Sequence, residues 1–397
     1  MTTDRTAIRR WLAVGGAANR PPWRARKARH RPIVAPLAVT LAASAAIGFG
    51  VALARAGERR TRPRRKVQAR RLGLLPGELL APGLRRMAVE QADMALEQLA
   101  AADHGDARRA VHEARKAIKR LRTIVRLLEG ELGAQGSARE HDALRAAAAA
   151  LAGARDAEVM LATLDRLVGL DRKRLSGRAG VVSLRLQLAQ DRDEAERWVL
   201  APDNRLRVSE ELRLFRGRAS GWELASDAGV GAVEPGLRKI YRQGRQRFRR
   251  AAGKRGGRVR RMHQWRKRVK DLRYAAEVLQ RRDPGAKHAG SSRARRRAKR
   301  EMRWLRRLGK RTDRLGEVLG EEHDLAVLSE WIRLHGAAAG AGSGTRRLLR
   351  KMIARRRRKL CRRALGEGMK LYERKPRRFL RRAARAYRRA SPSLSRR

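Results

Sequence analysis

The stretch VHEARKAIKRLR, residues 111–122, sets one histidine and five cations into twelve positions. On a helical wheel advancing about 100° per residue, Arg115, Lys116, Lys119, Arg122 and Arg126 fall beside His112 in an arc of roughly 120°. Val111, Ala114, Ala117, Ile118, Leu121, Ile124, Val125 and Leu128 fill the opposite arc. One face is a core stripe and the other a row of cations one turn apart, so the stretch predicts an amphipathic helix.

The stretch MHQWRKRVKDLR, residues 262–273, repeats the arrangement. His263, Arg266, Lys267, Lys270 and Arg273 take the places of His112, Arg115, Lys116, Lys119 and Arg122. Met262, Trp265, Val269, Leu272, Ala275, Ala276 and Leu279 continue the apolar register. A second pair follows the same order: ARDAEVMLATLDRL (154–167) resembles EHDLAVLSEWIRL (322–334), each with an aspartate, Asp156 or Asp324, ahead of an apolar helix. A basic helix followed by an Asp-containing helix, twice, predicts two related helical halves about a pseudo-twofold.

Like charges one turn apart destabilise an isolated helix by some tenths of a kcal/mol per pair. An anion with closely spaced charges lying along both rows offsets that repulsion, with arginine forks and lysine point charges meeting its oxygens and histidine adding a donor that charges as pH falls toward its ordinary value. The pattern therefore predicts a basic groove where the halves meet. The whole chain has the same bias: 100 Lys and Arg against 39 Asp and Glu over 397 residues, a formal charge of +61. Such an excess points to a nucleic acid, an anionic membrane surface or an inorganic phosphate polymer. With 42% hydrophobic residues in periodic order, the chain is not a disordered tail throughout. Cys361 is the only cysteine, which excludes an intramolecular disulfide and a multi-cysteine zinc site.

Along the chain, residues 1–71 read as a basic N-terminal region. Within it, the uncharged run 33–54 is either a membrane anchor or an apolar leader. Helical pattern runs near 79–102, 106–129, 137–168 and 171–200. A looser linker follows at 201–232, then helices near 235–252, 258–281, 293–319, 322–335, 345–372 and 376–389. GAAAGAGSG, 336–344, reads as a flexible loop, and residues 388–397 as a basic tail. No useful length alternates with period two, so the fold class is all-α.

The two basic helices, LAGARDAEVMLATL, LGEEHDLAVL, the opening RRLGLLPGELLAPGLRRMAVEQADMALEQL (70–99) and PGLRKIYRQGRQRFRRA (235–251) together resemble the CHAD family, the conserved histidine α-helical domain, over about 72–387. The resemblance implies two four-helix bundles around a basic central cavity, with halves 72–200 and 233–387. It also implies binding of inorganic polyphosphate and association with polyphosphate granules in the cytoplasm. Position by position it makes His112, Arg115, Lys119, Arg120 and Arg122 phosphate contacts in the first half. His263, Arg266, Lys270 and Arg273 serve in the second. Lys116 and Lys267 are additions, and His323 contributes from the second Asp-containing motif, opposite Arg155 in the first. Asp156 and Asp324 orient cations. The sequence departs from the pattern at Asp271, which stands where the first half has Arg120, and in the insertion-like segment 285–300.

Phosphoryl transfer needs metal-holding carboxylates or a phosphate loop with its lysine. The glycine run 336–344 lacks that lysine, and Lys116 stands where a zinc helix would place a second histidine after His112-Glu113. The expectation is a binding protein without catalysis, cofactor or metal. A non-specific nucleic-acid-binding protein is the alternative, and the tail helix 376–389, with its apolar side of Phe379, Leu380, Ala383, Ala384 and Tyr387, is a weaker membrane candidate.

Overall fold

A computed structural model describes residues 72–75, 78–103, 106–225, 229–253, 257–280 and 292–390. Among the described residues there are twelve α-helices and no strand. They are α1 Leu80–Ala100, α2 Ala107–Leu127, α3 Gly133–Ala150, α4 Ala152–Leu170, the single turn α5 Arg172–Leu175 and α6 Ala179–Leu200. There follow α7 Pro202–Ser220, α8 Glu234–Ala252, α9 Arg258–Val278, α10 Ser292–His335, α11 Ser343–Leu371 and α12 Pro376–Ala390. All the described residues belong to one unit.

The apolar register of the two basic helices forms the core. Every one of the eight positions assigned to it in α2 is buried, from Val111 at 4% exposure to Leu128 at 0%. In α9 all seven are buried, Trp265 being the largest fully enclosed side chain. Each large apolar side chain so enclosed contributes about 1.5–3 kcal/mol. Helix α2 starts on Asp106, whose carboxylate accepts the Arg109 N–H at 3.1 Å, and Arg126 sits in its last turn.

Helices α1, α2, α3 and α7 close a ring in which each packs on the next. Helix α8 packs on α9, α9 on α10, and α11 and α12 both cover α10. Where α8 passes the end of α2, Gly236 is obligatory: a Cβ there would stand 2.3 Å from the Arg126 carbonyl oxygen. The entry segment is tied down by the Leu74 N–H, which donates to the Gln280 carbonyl at 2.8 Å.

Three sequence expectations are corrected. The stretch 201–232 is largely not a loose linker: α7 runs from Pro202 to Ser220 and buries Val208, Leu212, Phe215 and Ala219 against α1 and α3. Its glycines mislead, because Gly217 meets open space within the helix and Gly221 caps its end. The expected helix 137–168 is two helices broken at Leu151. The expected pair 293–319 and 322–335 is one 44-residue helix, α10. In the run 336–344 the residues up to Gly342 form a turn closed by the Ala341 N–H donating to the Gly336 carbonyl at 2.9 Å, with Gly340 at φ +78°, and Ser343 already opens α11.

Among the described residues no helix is long and apolar enough to cross a membrane. The run 33–54, the part of the 285–300 segment before Ser292, and the tail beyond Ala390 lie outside the described residues. The apolar side of α12 is already buried, with Phe379 stacked on Tyr241 at 3.9 Å between centroids. It can enter a bilayer only by leaving α8 and α10.

Candidate anion-binding site

Helices α2, α9, α10 and α4 form a second closed circuit: α2 touches α9 and α4, and α10 touches both of those. These are the two basic helices and the two Asp-containing ones. Their polar faces meet inside the circuit. Lys119 of α2 is held down to a pKa of about 7, by burial first and then by the charges of Arg115, Lys270 and Arg266, with Asp156 of α4 opposing. Lys270 of α9 is held down to about 8, by burial and then by Arg266 and Arg273, with Asp324 and Asp313 of α10 opposing. Burial also lowers Arg266, against the pull of Asp324 and Asp156. The Arg266 Nε is buried and has no hydrogen-bond acceptor among the described residues. Such an orphaned charged donor is expensive to leave unmade.

These cations are recessed and still reachable, since Arg115, Lys119, Arg266 and Lys270 are all partly exposed. The floor is kept low by Gly316 and Gly320 on α10. A Cβ at Gly316 would lie 4.0 Å from the Lys270 Cγ, and one at Gly320 3.7 Å from the Arg266 Nε.

The histidines of the second half pack together, with 4.2 Å between the His263 and His323 ring centroids. Burial, then Lys267 and Arg266, push His263 down to about 3; burial, then His263 and Arg266, push His323 to about 2. This corrects the expectation that they gain charge toward their ordinary value. At neutral pH both are neutral and each offers one N–H.

The remaining predicted residues divide. The Arg115 Nη1 donates to the Leu151 carbonyl, which the break between α3 and α4 frees, so Arg115 also fixes that corner. Arg122 is lowered by burial and by Arg126, and Lys267, exposed at the rim, by desolvation and then by Arg122 and Arg268. These two carry the row outward from the centre. Lys116 instead pairs with Glu113 at 3.1 Å on the surface. Arg120 donates to the buried Gln91 of α1 at 3.0 Å. Arg273 is neutralised by Glu277 at 2.9 Å and by Asp313 of α10. His112 lines a narrow cavity with Arg108, Glu158, Arg192 and Glu196, toward α4 and α6. The side chain of Arg155 lies outside the described set.

Sequence reasoning missed the tie between the basic helices. Asp271 of α9 forms an ion pair with Arg126 of α2 at 2.9 Å and with Arg268 of its own helix at 3.3 Å. The Arg268 spacing of three was legible, but the partner across the helices was not. It also missed Arg357 of α11, which acts on His323 and pairs with the buried Glu322 at 2.7 Å. Among the described residues no group of three or more His, Cys, Asp or Glu is placed to hold a metal ion.

A family model for the CHAD domain matches residues 90–333, more than half of the chain. The chain is similar in structure to the crystal structure of the CHAD domain from the plant Ricinus communis, with 18% identity and a TM-score of 0.48, covering 74% of this chain and 94% of that one. Among curated proteins none matches.

Proposed function

The chain belongs to the CHAD family, and from that premise and the site geometry we propose that it binds inorganic polyphosphate in the circuit of α2, α4, α9 and α10. One observation carries the reading: Arg115, Lys119, Arg266 and Lys270 converge from two helices onto one place, where burial and then their mutual repulsion depress both amines. A cluster of this kind resists its own charge until an anion arrives. A phosphate chain supplies closely spaced oxygens, restores full protonation of the lysines and gives the Arg266 Nε an acceptor.

The mechanism is retention by multivalent neutralisation, without turnover. Arg115, Lys119, Arg266 and Lys270 form the core contacts, and Arg122 and Lys267 lead the polymer toward the rim. Asp156 and Asp324 both pull on Arg266, and in this reading they steady its guanidinium. His263 and His323 act as neutral donors and spacers. Association with cytoplasmic polyphosphate granules follows from such retention.

The test is the double variant Lys119→Glu with Lys270→Glu. Its retention on immobilised polyphosphate should fall at least about a hundredfold at low salt, with helical content unchanged by circular dichroism. Undiminished retention would end this assignment.

A further inference from the structure

The first half of α10 carries a feature that the central site does not use. Arg293, Arg296, Arg300, Arg303, Arg307, Lys310 and Arg314 follow one another at steps of 3, 4, 3, 4, 3 and 4 residues, and all seven are exposed. At about 1.5 Å per residue this is a straight row of cations about 32 Å long. The opposite side of the same helix, with Met302, Leu305, Thr312 and Leu315, is buried. The two acidic residues of this half point away from the row and are already bound, Glu301 to Arg382 of α12 and Asp313 to Arg273 of α9. None of the seven has a carboxylate partner among the described residues.

We infer that this outer row binds the phosphate backbone of a double-stranded nucleic acid, separately from the recessed cluster. Three features favour that partner. The row is straight, fixed and open, so it suits a polyanion whose phosphates are already held in line. A duplex, stiff over about 50 nm and carrying one charge per about 1.7 Å of axis, has that property. A flexible chain would lose conformational freedom to lie along the row and gain no enclosure. Single-stranded bases need aromatic platforms, and the one aromatic in this half, Trp304, is half-buried beneath the Arg382 guanidinium at 5.0 Å.

The full chain is titrated with a short random-sequence DNA duplex, its single strand and polyphosphate, over a range of salt. The triple variant Arg300→Gln, Arg303→Gln, Arg307→Gln should weaken duplex binding by about tenfold or more and reduce the slope of log K against log salt by about 3, at about 0.9 per lost contact. Its polyphosphate binding should stay within about twofold of the parent, whereas Lys119→Glu with Lys270→Glu should keep duplex binding within about threefold. Unchanged duplex affinity and slope in the triple variant would overturn the inference. So would an equal loss of polyphosphate binding, or tighter binding of the single strand than of the duplex. Because the three arginines are exposed, unfolding is not expected, and circular dichroism on the same sample checks it.

Discussion

Helices α2 and α9 repeat one register and differ in what balances their charge. In α2, Arg122 is lowered by burial and then by the further cations it faces. At the matching place in α9, Arg273 is held by Glu277 and Asp313 and raised. Where α2 has Arg120, reaching back to Gln91 of α1, α9 has Asp271, which reaches across to Arg126 and binds the two helices together. The first copy therefore presents more uncompensated charge, and the second supplies the clamp that lets two cationic helices lie side by side. A repeated helix pair can keep its pattern while one member turns toward holding and the other toward assembly.

The comparison breaks first at Asp271. Asp271→Ala leaves the part-buried Arg126 and Arg268 without their shared carboxylate and should cost about 3 kcal/mol in urea unfolding. Arg120→Ala, at the matching position, should cost about 1–2 kcal/mol by removing the donor to the buried Gln91 amide oxygen. Equal costs would remove the clamp from the picture.

Acidity separates the two helices next. Lys119 titrates near 7 in the fold against an ordinary 10.5, so the unfolded chain holds more protons between those values. Stability of the unliganded chain should thus rise as pH climbs through that window, while polyphosphate affinity should fall as the amine loses its charge. Lys119→Gln should flatten both trends between about pH 7 and 8, and Lys270→Gln should leave that lower part in place. Melting temperatures and binding isotherms across the range check the sign and the order.

Smaller effects sharpen the contrast. Arg122→Gln should weaken polyphosphate binding by about tenfold, and Arg273→Gln, whose charge is already balanced, by about twofold or less. Lys116→Gln should change affinity least, because its amine is tied to Glu113 in a partly exposed surface pair of small worth. Fluorescence titrations of the three variants at one salt concentration rank them.

The apolar register of α2 and α9 could be read directly, because periodicity reports burial and all fifteen assigned positions are enclosed. The convergence of Lys119 with Lys270 agrees with the doubled pattern. What escaped reading depends on contacts between segments far apart in the chain. Helix α7 has arginines scattered through it and a weak apolar side, and it is folded by the faces of α1 and α3 that receive Val208 and Phe215. The break at Leu151 falls within an alanine-rich run, and Gly153 just beyond it is already inside α4; the Arg115 guanidinium stabilises the freed carbonyl. The division of labour between Arg122 and Arg273 was hidden because Asp313 lies on another helix.

Gly316 and Gly320 stand four residues apart on α10, facing Lys270 and Arg266. In helix propensity each gives up about 1 kcal/mol relative to alanine. That forfeited stability defines the headroom above the cations, so alanine at both sites should yield a sturdier protein with a narrower vestibule. Bulkier residues there would act as a size filter, excluding the guest before touching a single charge.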